Sequence, residues 1–350
     1  MRALTVVPLK AGSAAVVDVE EPAPGPGELL VDGLALGVCG TDREIAAGEY
    51  GWAPPGRERL VLGHESLGRV REAPEGSGFA EGDLVVGVVR RPDPEPCGAC
   101  ARGEFDMCRN GLYTERGIKE IHGYGSERWT VECDYAVKLD PSLDEVGVLM
   151  EPTTILAKAW DHVDRIGSRA WFAPERALVT GAGTIGLLAA LLGTQRGLEV
   201  HVLDRVEDGP KPELVHALGA TYHTSDVETI EKIAPPDVVI EATGVPQLVF
   251  DVMQHNAAAG VVCLTGVSPT GRDLSVDAGQ LGRDIVLEND VIFGSVNANL
   301  AHYELAERAL ASADRSWLAS MITRRVPLER FEEALDSRDD DVKVVLDLQS

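Results

Sequence analysis

The feature that most constrains the fold of this chain is a glycine-spaced turn within ALVTGAGTIGLLAALLG, residues 177–193. A short apolar strand runs into Gly181-x-Gly183-x-x-Gly186, and an apolar helix follows. In such a motif the first glycine permits the tight turn, the second lets the backbone approach a pyrophosphate, and the third lets the helix pack on the strand. The N-terminus of the helix then faces the anion. Because a second strand ends at Asp204, about 20 residues on, the sequence predicts a dinucleotide-binding unit.

The pattern of apolar residues and turns along the chain changes near residue 156. Before it, short strands such as LTVVPL and AAVVDV alternate with turns rich in Gly, Pro and Asp, a pattern typical of a compact β-barrel-like domain. After it, apolar strands alternate with segments of helical length, which indicates an α/β, doubly wound parallel sheet. We therefore predict a dinucleotide-binding domain over 156–299 and a first, catalytic domain over 1–155 that includes the tail 300–350.

The charge and hydropathy of the chain exclude several classes of function. The net charge is −25, from 32 basic and 57 acidic residues, so there is no cationic excess to neutralise nucleic acid. The acidity is explained equally by solubility in a cytosol and by adaptation to high salt. No apolar run approaches the roughly 18 residues of a membrane helix, and the N-terminus reads as a strand, not a signal peptide. We expect a cytoplasmic protein that binds neither nucleic acid nor membranes.

Four side chains of the first domain are of types that bind metals. Cys39 lies in GVCGTD, His64 and Glu65 lie in LGHES, and Glu151 lies in LMEPTTI. Each one alone is also explained as a core cysteine, a turn histidine or a solvated carboxylate. Together they supply one thiolate, one imidazole and two carboxylates, which match a catalytic zinc with three protein ligands and an open position for water or substrate. The sequence thus predicts a catalytic metal site.

These motifs, in this order, resemble the zinc-dependent medium-chain dehydrogenase/reductase superfamily over essentially the whole chain. The resemblance implies a GroES-like β-barrel catalytic domain and a Rossmann domain. In the family a Cys and the His of the GHE box hold the zinc, which implies Cys39 and His64. The third ligand is a Cys in many alcohol dehydrogenases, and Glu151 takes its place here, as in polyol and sugar dehydrogenases. Glu65 corresponds to the family's mobile carboxylate, which enters or leaves the metal shell.

Shorter segments are similar to the glucose 1-dehydrogenase branch of that superfamily. They are GTDREI, VVRRP, YTERGI, HGYGSE, EPTTILAKA and FGSVNAN. In that branch the Glu of ERGI and the Asn of SVN hydrogen-bond sugar hydroxyls, and the Thr of CGTD lies beside the reacting oxygen. The resemblance implies that Glu115, Asn297 and Thr41 bind the substrate. We expect the proton of the substrate hydroxyl to leave through Thr41 or through a zinc-bound water. Taken without the resemblance, the three residues read as a loop salt bridge, a strand-end turn and a helix cap.

The resemblance implies an oxidoreductase of carbohydrate metabolism. The expected reaction moves a hydride from C1 of an aldose, D-glucose first among them, to a nicotinamide and gives an aldonolactone. A polyol or other secondary-alcohol dehydrogenase has the same metal shell and stays open. A sensor or scaffold without catalysis, or a metal-free quinone reductase, is disfavoured by the presence of Cys39, His64 and Glu151. A dimer or tetramer is a further expectation from the family.

The choice between NAD and NADP is predicted from the end of the second strand. A carboxylate at Asp204 accepts hydrogen bonds from the ribose 2′-hydroxyl and repels a 2′-phosphate. Glucose dehydrogenases that favour NADP tend to have a neutral residue here and then two arginines, whereas this chain continues with Arg205 and Val206. We predict that NAD is preferred and that Arg205 allows some use of NADP. The predicted cofactor-binding residues are Gly181, Gly183, Thr184, Ile185, Gly186, Asp204, Arg205, Thr243, Gly244, Val267 and Asn297.

Three further cysteines cluster in EPCGACARGEFDMC, residues 95–108. The superfamily carries a structural zinc in a lobe with the spacing C-x2-C-x2-C-x7-C, and Cys97, Cys100 and Cys108 match the last three ligands. The first ligand position falls on Pro94, which has no donor atom. Three nearby carboxylates are candidates for a substitute, Asp93, Glu95 and Asp106. A vestigial site is the alternative, and the matching spacing favours a bound zinc.

Overall fold

The computed structural model describes residues 1–269, 271 and 273–349. Their contacts divide the chain into two compact units. The first unit consists of Met1–Thr154 together with Asn297–Ser350, and the second consists of Ile155–Val296. The tail thus returns to the first unit from Asn297, slightly before residue 300, where the sequence placed the return.

Short strands make up most of the N-terminal part of the first unit. They are β1 (Arg2–Val6), β2 (Ala15–Asp18), β3 (Glu28–Val38), β4 (Leu60–Val61), β5 (Glu65–Glu72), β6 (Leu84–Gly87), β7 (Arg90–Arg91), β8 (Thr114–Arg116), β9 (Glu120–Ile121), β10 (Arg128–Glu132) and β11 (Ala136–Lys138). Two helices accompany them, α1 (Gly40–Ala47) and α2 (Met150–Gly167), and α2 continues into the second unit. Short 3₁₀ turns occur at Cys100–Arg102, Phe105–Met107, Cys133–Tyr135, Pro141–Leu143 and Gly147–Leu149.

The strands of the first unit form three sheets. The main one has the order β11-β6-β5-β3, and β10 also pairs with β3. Smaller sheets have the orders β2-β1-β4 and β7-β8-β9. Alternate residues of β3 and β10 face one apolar core, which includes Leu29, Val31, Trp129 and Val131, as the period of two in a strand requires.

The tail completes the main sheet of the first unit. It contains α8 (Leu300–Ala311), α9 (Arg315–Met321), β18 (Ile322–Pro327), α10 (Phe331–Leu335) and β19 (Lys343–Asp347). The helices and strands numbered between α2 and α8 and between β11 and β18 belong to the second unit. Strand β19 pairs antiparallel with β3, with Val344 opposite Val38, and parallel with β18. This pairing brings Lys343, at the start of β19, next to the end of β3, where the first candidate metal ligand follows.

The second unit alternates strands and helices, as predicted. Its strands are β12 (Arg176–Thr180), β13 (Glu199–Leu203), β14 (Thr221–His223), β15 (Val238–Glu241), β16 (Val261–Leu264) and β17 (Val291–Gly294). Its helices are α3 (Thr184–Gln195), α4 (Pro210–Ala217), α5 (Val227–Ile233), α6 (Pro246–Gln254) and α7 (Ala278–Glu288). All strand pairs are parallel, in the order β14-β13-β12-β15-β16-β17. This is the doubly wound order of a dinucleotide-binding sheet, and it confirms the predicted fold class.

Candidate functional site

The structure brings three of the predicted metal ligands together in the first unit. Cys39 follows β3, His64 lies in the turn between β4 and β5, and Glu65 is the first residue of β5. One ligand atom from each lies within 4.8 Å of the other two, and Cys39 Sγ is 3.2 Å from His64 Nε2. His64 and Glu65 are 6% and 2% exposed. The group therefore presents a thiol, an imidazole and a carboxylate to one buried point.

Asp42 orients two members of this group. It lies in the first turn of α1 and is buried, and its Oδ2 accepts a hydrogen bond from the backbone N of Cys39 at 2.9 Å. Its Oδ1 lies 3.5 Å from Nδ1 of His64. With Nδ1 turned to the carboxylate, Nε2 of His64 faces Cys39. A carboxylate behind a histidine is a common means of fixing the ring of a metal ligand.

The protonation of the group reflects its burial and its negative charge. Burial and the nearby Asp42 raise the pKa of the Cys39 thiol, and His64 offsets part of this effect. Burial acts to lower the pKa of His64, but the charges of Cys39 and Asp42 outweigh it and raise that pKa well above its ordinary value. The raised pKa of His64, which opposes the effect of burial, reflects the negative charge of its neighbours.

A lysine that the sequence analysis did not single out lies against Glu65. The ammonium of Lys343 forms an ion pair with Oε2 of Glu65, and both side chains are at most 3% exposed. Lys343 Nζ also donates to the backbone O of Val38 at 3.3 Å. The one available signal was a charged residue inside the apolar strand VKVVLDL. Burial of an unpaired ammonium is costly, so a lysine in such a strand indicates a buried acidic partner.

Glu151, the fourth predicted ligand, lies at the start of α2 and is partly exposed. Among the described residues, the group within 4.8 Å comprises Cys39, His64 and Glu65 without it. Desolvation and the charge of Glu65 raise the pKa of Glu151 to about 7, against the opposing effects of His64 and Lys343. Glu151 therefore interacts electrostatically with the group and stands outside its shortest contacts.

The residues present fit a divalent zinc ion. Sulfur, imidazole nitrogen and carboxylate oxygen are the three donor types that zinc prefers. Several acidic groups, Asp42, Glu65 and Glu151 among them, share the site with one lysine. A divalent cation relieves such an excess of buried negative charge. The arrangement of Cys39 and His64 at 3.2 Å also requires no large movement to share one ion.

The predicted substrate residues occupy two places in the first unit. Thr41 lies in the first turn of α1, two residues after Cys39, and is partly exposed. Glu115, in β8, and Asn297 are buried, and the Nδ2 of Asn297 donates to Oε1 of Glu115 at 2.7 Å. Asn297 has a φ of 63°, and its Oδ1 accepts from the backbone N of Ala298. The structure thus joins Glu115 and Asn297, which are far apart in sequence, into one polar contact.

The three lobe cysteines also lie together. One ligand atom of each of Cys97, Cys100 and Cys108 is within 4.8 Å of the other two. A hydrogen bond from the backbone N of Arg109 and contacts with Cys100 lower the pKa of Cys97 to about 6, whereas burial raises the pKa of Cys100 to about 11. A low thiol pKa is typical of a thiol poised to bind a metal. Three thiolate ligands fit zinc.

The three candidates for a fourth lobe ligand differ in their surroundings. Asp106 is buried, and its Oδ1 accepts from Asn299 Nδ2 at 2.8 Å. Glu95 is exposed. Asp93 is 3% exposed, its Oδ1 accepts from the backbone N of Glu95 at 2.8 Å, and its Oδ2 has no hydrogen-bond partner among residues 1–269, 271 and 273–349. A buried carboxylate oxygen without a partner is unusual, and Oδ2 of Asp106 instead lies 3.9 Å from Nδ1 of His302. Asp93 is therefore the preferred candidate for the substitute, although within the described part of the chain the group within 4.8 Å comprises the three cysteines without it.

The glycine turn of the second unit has the predicted geometry. Gly181 has a φ of 88°, which favours glycine. A side chain at Gly186 would collide with the backbone O of Gly181, whereas one at Gly183 would meet open space. Asp204 caps the same turn, since its Oδ2 accepts from the backbone N of Ala182 at 2.6 Å. The space at Gly183 is where the sequence predicts the pyrophosphate.

The other predicted cofactor residues come shortly after the ends of the parallel strands, in loops or at the start of a helix. Thr184 and Ile185 begin α3, and Arg205 and Val267 are exposed. Thr243 and Gly244 follow β15, whose last residue, Glu241, is fully buried and accepts from the backbone N of Thr243 at 2.8 Å and of Gly244 at 3.1 Å. Glu241 therefore shapes this loop. The sequence analysis missed it, although an acidic residue ending the apolar run VVIE was a visible signal.

Comparison with known proteins agrees with these two units. The family model described as the alcohol dehydrogenase GroES-like domain matches residues 25–141, and the model described as the glucose dehydrogenase C-terminus matches residues 144–348. The glucose 1-dehydrogenase of Methanocella arvoryzae is 42% identical over 99% of both chains. The glucose 1-dehydrogenase of Thermoproteus tenax is 40% identical over 100% of both chains.

A solved structure extends the comparison to three dimensions. The glucose dehydrogenase of Haloferax mediterranei in complex with NADP, Zn and gluconolactone superposes with a TM-score of 0.92, at 35% identity and over 100% of both chains. Within the described part of this chain, no helix is long and apolar enough to cross a membrane. The two family models together span most of the sequence, and the likeness to full-length relatives leaves no large segment unmatched. The chain belongs to the glucose 1-dehydrogenase branch of the zinc-dependent medium-chain dehydrogenase/reductase superfamily.

Proposed function

We propose that the chain oxidises D-glucose at C1 to gluconolactone and transfers the hydride to NAD(P)⁺. The observation that carries this proposal is the group of Cys39, His64 and Glu65, whose sulfur, nitrogen and oxygen atoms lie within 4.8 Å of one another, with His64 and Glu65 buried. The similar glucose dehydrogenase of Haloferax mediterranei was solved in complex with NADP, Zn and gluconolactone. This likeness supports glucose as the substrate, gluconolactone as the product and zinc as the metal.

We assign the metal-binding roles to four residues. Cys39, His64 and Glu151 would hold the zinc, and Glu65 would approach or leave it. When bound, zinc supplies a Lewis acid that makes the loss of a proton from a sugar hydroxyl feasible near neutral pH. Asp42 keeps Nε2 of His64 turned towards Cys39. Lys343 forms an ion pair with Glu65, so the carboxylate of Glu65 can lie either against Lys343 or against the zinc.

In the chemical step the sugar loses two electrons and two hydrogens, one as a hydride and one as a proton. The bond from C1 of glucose to hydrogen breaks, and its electron pair leaves with that hydrogen as hydride to the nicotinamide. A double bond forms between C1 and its oxygen, whose proton passes through the hydroxyl of Thr41 to solvent. Thr41 suits this relay because it lies in the turn that starts at Cys39 and is partly exposed.

Glu115 and Asn297 would recognise the sugar. A buried polar group that accepts a hydroxyl of the substrate disfavours analogues that lack this hydroxyl. Both residues are buried, and the hydrogen bond between them uses Oε1 of Glu115 and leaves Oε2 for the sugar. We therefore expect aldopyranoses to be better substrates than acyclic polyols.

We further propose that NAD is preferred over NADP. The carboxylate of Asp204 lies beside the glycine turn, where it accepts from the backbone N of Ala182 at 2.6 Å. A ribose hydroxyl can donate to this carboxylate, whereas a 2′-phosphate would be repelled by it. Arg205 is exposed, and it would support some use of NADP.

The substitution Asp204→Asn tests the cofactor preference. It keeps an oxygen that accepts from Ala182 but removes the charge, so kcat/KM for NADP should rise about tenfold relative to that for NAD. Steady-state kinetics with both cofactors at saturating glucose measure the ratio. A wild type that favours NADP, or an Asn variant with an unchanged ratio, would contradict the role of Asp204.

A substrate panel tests the reaction itself. Zinc-loaded protein is assayed with aldoses, acyclic polyols and simple secondary alcohols, using the absorbance of the reduced nicotinamide. Glucose or a close epimer should give the highest kcat/KM, and Glu115→Ala should lose far more activity on glucose than on a simple alcohol. A higher rate on a polyol than on any aldose would instead establish a polyol dehydrogenase.

A further inference from the structure

Arg90 contacts the carboxylate that the proposed function assigns to sugar binding. Arg90 is 6% exposed and Glu115 is 7% exposed. Nε and Nη2 of Arg90 donate to Oε1 of Glu115 at 3.1 and 2.9 Å, and Nδ2 of Asn297 donates to the same oxygen at 2.7 Å. Three donors therefore converge on one oxygen of the carboxylate, and none of these bonds uses Oε2.

Arg90 is itself fixed from two other directions. Its Nη1 donates to the backbone O of Asp106 at 2.9 Å, and its guanidinium lies over the ring of Tyr113, 3.7 Å from the centroid. A planar guanidinium can use all of these contacts at once because its donors point in fixed directions in one plane. A lysine ammonium has no such plane and cannot stack on the ring in the same way.

The contacts of Arg90 connect the predicted sugar subsite to the cysteine lobe. Asp106 lies between Cys100 and Cys108, and its Oδ1 accepts from Nδ2 of Asn299 at 2.8 Å. Asn299 is the N-cap of α8 and follows Asn297 by two residues. The hydrogen bonds and the short backbone link thus close a ring that leads from Glu115 through Arg90, Asp106, Asn299 and Asn297 back to Glu115.

We propose that Arg90 is a positioning residue that fixes Glu115, through this ring, so that its Oε2 accepts a hydroxyl of the sugar. The inference deepens the proposed function and rests on it. Without Arg90 the carboxylate of Glu115 would be buried with no charged partner in direct contact, which is costly and favours another orientation or protonation. The cysteine lobe contributes the backbone oxygen that holds Arg90, so it also supports substrate binding.

The neighbouring Arg91 provides a matched control. It is 7% exposed, it donates through Nη2 to Oε2 of Glu132 at 2.7 Å, and its guanidinium lies 4.2 Å from the ring of Tyr135. It is thus an equally buried arginine with a glutamate partner and a tyrosine ring. Its side chain donates to Glu132 and to the backbone O of Val88 and not to Glu115, so its loss should affect folding stability but not sugar binding.

The test compares Arg90→Lys with Arg91→Lys in the zinc-loaded, full-length enzyme. We expect Arg90→Lys to raise KM for glucose about tenfold to a hundredfold, with kcat changed by less than about threefold. Arg91→Lys should leave KM within about twofold of the wild type, although it lowers the melting temperature as well. A wild-type KM in Arg90→Lys, or an equal rise in both variants, would overturn the proposal.

Two further experiments sharpen the test, and the second does not depend on the folding of Arg90→Lys. In a Glu115→Gln background the Arg90→Lys change should add no further rise in KM, because both act through one contact. Tyr113→Leu, which removes the ring that Arg90 and Lys119 both contact, should raise KM about threefold to tenfold. Additive effects in the first experiment, or an unchanged KM in the second, would contradict the role of Arg90. A wild type without activity on any aldose would instead refute the proposed function and is recognised before any variant is made.

Discussion

The two groups of candidate metal ligands in the first unit are assembled differently. Cys39, His64 and Glu65 come from two neighbouring regions of the chain and combine three donor types. Cys97, Cys100 and Cys108 fall within one short segment of 3₁₀ turns and provide thiols alone. The first arrangement depends on how strands pair, whereas the second depends on local spacing.

The groups also differ in their charged neighbours. Asp42 and Lys343 contact the first group, and both are buried within the fold. The lobe thiols are surrounded mainly by backbone amides, such as that of Arg109 on Cys97. Charged neighbours let a site change the charge and coordination of a bound ion during a reaction, and backbone amides hold thiolates in one state. From this difference we propose a catalytic role for the first group and a structural role for the second.

Removal of a ligand from the first group should have the largest effect. We expect His64→Ala to lose one zinc per subunit and to lower turnover by more than the roughly 10–100-fold that an outer partner of a metal ligand contributes. Zinc content and glucose-dependent rate are measured on the same samples. Near-normal turnover in this variant would remove the distinction between the two groups.

Removal of the charged neighbour Lys343 should have the next largest effect. Lys343→Met leaves Glu65 buried without its ion pair, which should lower the free energy of unfolding by about 3–5 kcal/mol. The pair of the exposed Lys138 and the partly exposed Asp83, with N and O 2.7 Å apart, is the control, and Lys138→Met should cost less than about 1 kcal/mol. Denaturant unfolding compares the two. Equal losses would show that burial does not distinguish these pairs.

A change in the lobe should affect stability more than chemistry. The wild type should contain two zinc ions per subunit, and Cys100→Ser should contain one and melt at a lower temperature, because a structural metal contributes to folding. Its kcat should stay within about threefold of the wild type. A wild type with a single zinc would mean that the lobe binds none.

The smallest effect concerns the fourth lobe ligand. If Asp93 takes the place of the missing cysteine, Asp93→Asn should weaken zinc binding in the lobe by about tenfold and leave the first group fully loaded. Competition with a chelator, followed by zinc analysis, measures this change. Glu95→Gln is the control because Glu95 is exposed nearby, and an equal effect from it would rule out a special role for Asp93.

Local features of the sequence predict much of this protein. The glycine turn at Gly181 and the cysteine spacing of the lobe lie within short segments, so both can be interpreted without knowledge of the fold. The fold class and the ligands Cys39 and His64 were predictable for the same reason, with support from the family resemblance. The structure brings those two residues together, while their role as zinc ligands stays a prediction.

The contacts that the sequence did not predict depend on long-range pairing. Lys343 reaches Glu65 because β19 pairs with β3, and those strands are about 300 residues apart in the chain. Arg90 reaches Glu115 through the pairing of β7 with β8. A sequence shows that a buried charge needs a partner, but strand register determines which residue that partner is.

The contrast between the two groups is tested most directly by zinc content and glucose turnover measured together in Cys39→Ala and Cys108→Ala. The account predicts that each variant loses one zinc per subunit, that Cys39→Ala loses nearly all turnover, and that Cys108→Ala keeps kcat while it loses thermal stability. Turnover that survives in Cys39→Ala, or is abolished in a folded Cys108→Ala, would contradict the assignment of catalysis to the group of Cys39, His64 and Glu65.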